Sequence, residues 1–142
     1  MLQVPALLEE LMAAGRWPRT AEEQLAQNVG PLISPDRVRR LAPDESRIYL
    51  CVPPFAPIGR RKDPKDFFNW PSSDPSGIDY DRAIMIGDFG IGADSPIVLD
   101  YRDNPANPRV LRLRYGFDAP TLVGKWTVLA PNFASFAEAL GL

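Results

Sequence analysis

The sequence predicts an α+β domain: an antiparallel-rich sheet of about five strands, with N-terminal helices and a closing C-terminal helix. Three observations carry this. Helical apolar spacing is confined to the stretch before Ala42 and to the last residues of the chain. Short runs rich in β-branched and aromatic residues fill the region from Arg47 to Ala130. The connections between those runs are turns dense in Gly, Pro, Asp and Asn. At 142 residues the chain is expected to be a single domain, 1–142, carrying a proline-rich insertion at about 53–78.

Val4, Leu7, Leu8, Leu11 and Met12 fall on one face of a helix that Gly15 closes. Thr20 and Glu23 have capping-box spacing and open a second helix, expected to end at Gly30 before Pro31. Ser34-Pro35 supplies an N-cap followed by proline at the first helical position, leading into Val38 and Leu41. Arg47–Val52 reads as a strand. Six prolines then fall between Pro53 and Pro75, which excludes a central strand there. Within this insertion Asp63-Pro64 can cap a short turn bearing Phe67, Phe68 and Trp70. Two readings of these aromatics are open: a lid folded back on the core, or an exposed patch for a partner.

Ala83–Ile86 and Ile97–Leu99 flank a loop containing Gly87, Gly90, Gly92, Asp88, Asp94 and Pro96. This is a strand–loop–strand unit whose glycines are expected at positions needing positive φ. Arg109–Tyr115 alternates, with Leu111, Leu113 and Tyr115 on one face and Val110, Arg112 and Arg114 on the other. It reads as a half-buried strand with two arginines facing outward. Lys125–Ala130 is a further strand. Phe133, Phe136, Ala137 and Leu140 define the closing helix, opened by Pro131-Asn132 and followed by Gly141.

The charge balance, 16 basic against 18 acidic side chains, provides no global basic field for nucleic acid. A local basic cluster, Arg37, Arg39, Arg40 and Arg47, reads as a solvated helix face. Arg109, Arg112 and Arg114 read as ion-paired or edge-protecting residues. Cys51 is the only cysteine; it lies in an apolar run, is expected to be buried and inert, and fits a reducing compartment. No apolar run approaches the ~20 residues of a membrane span. The N-terminus lacks a cationic start and carries Glu9 and Glu10, unlike a signal peptide, so a cytoplasmic location is expected. Histidine is absent, which removes the commonest general base and zinc ligand together with every Ser–His and Cys–His arrangement.

The motifs that suggest chemistry fail on context. Asp88-Phe89-Gly90 matches the magnesium-binding triplet of protein kinases, but the glycine-rich loop, partner lysine and catalytic loop are missing. Gly87, Gly90 and Gly92 run in the reverse order of a dinucleotide fingerprint and precede a strand. Asp79, Asp81, Asp88, Asp94, Asp100 and Asp103 crowd together without EF-hand spacing. They are expected to cap turns through their own backbone. Gathered on one edge, the same acids would also present a negative patch to a basic partner.

From Ile86 to Asp100 the pattern I-G-D-F-G-x-G-x-D-x-P-I-x-L-D resembles the central hairpin of the SUKH superfamily. That group includes the fungal cell-wall assembly regulator and many bacterial toxin-immunity proteins. The strand Val110–Tyr115, then Trp126–Ala130, then Asn132-Phe133-x-x-Phe136 follow in the family's order, so the resemblance runs from Ala83 to Leu140. The N-terminal half departs from it: Trp17-Pro18 and Asn28-Val29-Gly30 match the family's Leu-Pro and Asn-Gly segments only loosely, and the proline-rich insertion is peculiar to this chain. The resemblance implies an α+β fold and a protein-binding role, and it carries no catalytic residue.

The function expected from the sequence is therefore a non-enzymatic protein-binding domain of immunity type that binds and neutralises a toxin. The alternatives are a regulatory adaptor of the cell-wall assembly type and a metal-dependent hydrolase using the Asp88–Asp103 acids. The expected partner is another protein, a cognate toxin in the immunity reading, with no nucleic acid, membrane, metal or cofactor. Candidate partner contacts are Asp88, Asp94 and Asp103 on the acidic turns and Phe67 and Trp70 in the insertion.

Overall fold

The strand-forming runs assemble into one antiparallel sheet whose spatial order follows the chain: β1 (Tyr49–Leu50), β2 (Ala83–Asp88), β3 (Pro96–Asp100), β4 (Arg109–Tyr115) and β5 (Gly124–Ala130). The computed structural model describes residues 2–60, 78–90, 95–115 and 124–142. Among these, four helices accompany the sheet: α1 (Ala6–Ala13), α2 (Ala21–Ala26), α3 (Pro35–Leu41) and α4 (Phe133–Ala139). The α+β class, the N-terminal helices and the closing helix are as the sequence predicts. No helix among the described residues is long and apolar enough to cross a membrane.

The helix ends follow local chemistry. Thr20 Oγ1 accepts the Glu23 N–H at 3.1 Å, Ser34 Oγ that of Arg37 at 3.4 Å, and Asn132 Oδ1 that of Ser135 at 2.8 Å. The reciprocal half of the Thr20 capping box is displaced by one residue, because Glu23 Oε2 takes the Arg19 N–H at 2.7 Å. Gly15 and Gly141 terminate α1 and α4 with φ of 72° and 73°, a region that only glycine enters without strain.

Both faces of the sheet are covered. On the first, Leu8, Leu11 and Val38 from α1 and α3, with Phe133, Phe136 and Leu140 at the C-terminal end, pack on Ile84, Ile86, Ile97, Leu99 and Val110. On the second, Ile58 and Ile78 lie against Ala83, Met85, Val98 and Leu111, with Cys51, Tyr80 and Trp126 partly buried around them. Ile58 and Ile78 belong to the two ends of the proline-rich insertion, and Pro57 bridges to Ile84 in β2. Those ends therefore do fold back on the sheet. Phe67, Phe68 and Trp70 lie outside the described residues, so the choice between lid and patch concerns residues not described. Cys51 is half-buried rather than buried.

Two expectations are corrected here. The first concerns β4, where Arg112 does not face outward and is only 5 % exposed. β4 lies between β3 and β5, so its Val110–Arg112 face is the helix-covered one, and its alternation separates two covered faces rather than core from water. The second concerns Gly87, which does not adopt positive φ. Ile86 is a bulge between Met85 and Gly87, after which the backbone passes close to β1, and a Cβ on Gly87 would stand 2.9 Å from the Tyr49 carbonyl oxygen. Gly87→Ala is thus expected to destabilise by about 1–3 kcal/mol, because backbone must move. Gly30→Ala, where nothing lies within 4 Å, is the matched control. Equal urea midpoints for the two variants would refute the close-approach account.

Candidate partner-binding surface

The acids that crowd together in sequence are separated by the sheet. Asp88 ends β2 opposite Pro96, and Asp100 ends the antiparallel β3 four residues further on, so the two stand at opposite ends of the sheet, about 14 Å apart along the strands. Among the described residues no three metal-ligating side chains converge. Among the described residues, Asp88 therefore shares neither a site nor a continuous edge with Asp100 and Asp103, and Asp94 lies outside the described set.

At the Asp88 end the carboxylate is buried, 5 % exposed, and its Oδ1 accepts the N–H groups of Gly90 at 2.8 Å and Ser95 at 3.0 Å. Ser95 Oγ donates to the Leu113 carbonyl at 2.8 Å, tying the loop to β4. Asp88 thus closes the base of the loop, the turn-capping role expected of it. Beside it the Arg112 guanidinium lies 4.5 Å over the Phe89 ring and reaches Asp44 at 3.0 Å and Glu45 at 2.6 Å. Arg114 also pairs with Asp44, at 3.0 Å. Burial pushes the Asp44 carboxyl up, but the hydrogen bond from Arg112 and the charges of Arg112 and Arg114 outweigh it and hold the group below its ordinary value.

At the opposite end Asp100 is fully buried and is bound by Arg102 and Arg109. Asp103, 66 % exposed, pairs with Arg109 at 3.3 Å. Asp79 caps the turn at Tyr80–Arg82 by accepting the Asp81 N–H at 3.0 Å. Arg109, Arg112 and Arg114 are therefore ion-paired inside the domain instead of forming a free basic strip.

Of the five expected contact residues, the structure buries Asp88, exposes Asp103 and leaves Asp94, Phe67 and Trp70 outside the described set. It also presents a surface the sequence analysis missed. Helix α2 buries none of its residues, yet Leu25 is 66 % and Val29 92 % exposed, and Leu32 follows at 50 %. These are three of the four exposed large apolar side chains among the described residues, so the exposure is concentrated and not scattered. Beyond α2 the chain tightens into a turn, in which the Val29 N–H at 3.2 Å and the Gly30 N–H at 2.9 Å both bond to the Ala26 carbonyl, so Val29 follows within about one turn of Leu25.

What holds α2 in place is polar. The buried Gln27 carboxamide accepts the Leu50 N–H at 2.8 Å and donates to the Leu50 carbonyl at 3.0 Å, pairing with β1 as a neighbouring strand would. Trp17 Nε1 donates to the next carbonyl along, that of Cys51, at 2.8 Å. The Gln27 amide thus ties the C-terminal end of α2 to β1, and Leu25 is left facing water. The signal available in the sequence was the four-residue spacing of Leu25 and Val29; which way that stripe turns depends on Gln27, whose tertiary partner is distant in the chain.

Fold and surface together define an α+β domain built on an antiparallel meander, with exposed apolar residues on and just after the helix tied to its first strand. Comparison of the chain with protein-family models, with curated proteins and with solved structures finds no match.

Proposed function

We propose that this chain is a non-enzymatic protein-binding domain of immunity type, which binds and neutralises a toxin. The observation that carries the binding reading is the exposure of Leu25 on α2, a helix that buries none of its residues, and of Val29 and Leu32 in the segment just after it. The immunity role is supported by the resemblance of Ala83–Leu140 to SUKH proteins. In this proposal Asp103 adds an exposed acid, Asp88 acts by holding its loop, and Asp94, Phe67 and Trp70 are further contacts. A cytoplasmic site of action goes with the immunity reading.

Co-expression with the product of the adjacent reading frame tests it. The expected outcome is a stable complex and protection of the host cell. Leu25→Glu with Val29→Glu should weaken the complex at least ~100-fold and abolish protection, because charge would be driven into an apolar contact. The same double variant should unfold within about 0.5 kcal/mol of the parent, since both positions are exposed. Full protection by the double variant would sink the surface assignment. A complex with a non-toxic protein would favour the regulatory-adaptor reading, and the absence of both complex and protection would overturn the immunity role.

A further inference from the structure

Arg112 is a buried cation on a covered face of the sheet, and its counter-charges among the described residues come from one short connection. Between α3 and β1 the chain turns back on itself, with the Glu45 N–H bonding to the Ala42 carbonyl at 3.0 Å, and Pro43, Asp44, Ser46 and Arg47 are exposed. What ties this turn to the sheet is charge. Asp44 Oδ1 and Glu45 Oε1 accept from the two Nη groups of Arg112, and Asp44 Oδ2 pairs with Arg114. The Arg112 guanidinium in turn covers the ring of the buried Phe89. Phe89, Arg112 and the two carboxylates are thus stacked in that order from the core outward. The neighbours of Arg112 in register, Ile97 of β3 and Thr127 of β5, carry no charge. Arg114 follows two residues along on the same face, opposite Lys125, and Asp88 at the end of β2 engages its Oδ1 with the Gly90 and Ser95 N–H groups.

We propose that Pro43–Ser46 is a strap latched by charge: with Asp44 and Glu45 ionised it holds Arg112 over Phe89, and with both neutralised Arg112 turns out to water and uncovers Phe89. A buried cation that loses its counter-charges is strongly unfavourable, so the inward position of Arg112 depends on the two carboxylates. Its Nε is already buried without a hydrogen-bond partner among the described residues, which weakens that position further. The outward position is within reach. Arg112 lies one pleat inside the exposed Arg114, near the end of β4, and its long stem can carry the guanidinium to the rim. Acid supplies the neutralisation. Burial pushes the Asp44 carboxyl up, but the Arg112 hydrogen bond and the charges of Arg112 and Arg114 hold it below its ordinary value. The latch is therefore intact above the ordinary carboxylate value of about 4 and is lost as pH falls through the lower folded value.

Hydrogen exchange of the full chain, read residue by residue by NMR at neutral pH, tests this. Asp44→Asn with Glu45→Gln keeps the shape of the strap and removes its charge. The Phe89 N–H, bonded to the Ser95 carbonyl at 3.2 Å, and the Glu45 N–H should then exchange at least ~10-fold faster, while the β3–β4 amides change far less. Adding Arg112→Met should return Phe89 to the parent's rate, because no buried charge is left to expel. In the parent, exchange at Phe89 relative to its intrinsic rate should rise below pH ~4, and more steeply than in the double variant. Asp88, the carboxylate at the base of this loop, is present in both proteins and cancels in their difference. If the double variant does not fold, Glu45→Gln alone should give a smaller acceleration at the same two amides. Unchanged exchange at Phe89 on neutralising the strap would overturn the proposal. So would an acceleration that Arg112→Met leaves in place, since contacts of the strap and not the charge of Arg112 would then hold the loop.

Discussion

Trp17→Ala is expected to cost about 3–5 kcal/mol. Trp17 lies in the connection from α1 to α2, outside any regular element, yet it is only 1 % exposed. Its ring meets Phe133 edge-on, with centroids 5.8 Å apart and planes at 68°, so it packs the N-terminal segment onto the closing helix. Its Nε1 hydrogen bond to Cys51 also helps to close the β1 edge. Removing the indole leaves a cavity between segments that meet nowhere in sequence, and the backbone around it can collapse only in part. Trp17→Phe separates the contributions: it keeps most of the apolar contact and loses the hydrogen bond, for about 1–2 kcal/mol. Urea unfolding followed by circular dichroism reads both. A cost below about 1 kcal/mol for the alanine variant would mean that the N-terminal segment is not coupled to α4 as described.

What was legible in the sequence follows the range of the interactions involved. Caps are local, and Thr20, Ser34 and Asn132 each accept the N–H three residues on, as their spacing implies. Strand β4 was delimited without error, because its alternation is long and its flanking turns are rich in Gly, Pro and Asn. The outward placing of Arg112 failed because alternation reports two faces and not which of them meets water. Asp44 and Glu45, which make that burial tolerable, are far away in the chain. The acids show the same limit. Asp79 and Asp88 cap turns as expected, but closeness in sequence was no guide to closeness in space, since an antiparallel pair sends the ends of β2 and β3 to opposite sides. The apolar surface of α2 went unread for a related reason: its orientation is set by Gln27 reaching Leu50. That is a pairing of single residues, and no periodicity encodes it.

Asp100→Asn is expected to cost about 2–4 kcal/mol at neutral pH, and the cost should shrink in acid. Four donors converge on this fully buried carboxylate: the Arg102 N–H at 3.2 Å, Arg102 Nε at 2.9 Å, Arg102 Nη2 at 3.1 Å and Arg109 Nη2 at 2.6 Å. Burial alone would push the carboxyl up, but these hydrogen bonds and the Arg102 charge outweigh it, so the group is held below its ordinary value. The sign of the pH dependence follows. A folded value below the unfolded one means that Asp100 contributes its full stability above the unfolded value of about 4, and loses it as pH falls through the folded value. The parent should therefore weaken progressively below pH ~4, while the asparagine variant, having no proton to take up at this position, should weaken less. Asp44 is depressed in the same direction, but it is present in both proteins and cancels in their difference. The quantity to measure is the gap in unfolding free energy between parent and variant, from urea titrations across the acid range. It should be constant above pH ~5 and close below pH ~4. A gap that stays the same in acid would show that Asp100 acts by shape rather than by charge. The cluster that joins the end of β3 to the start of β4 would then be held by packing.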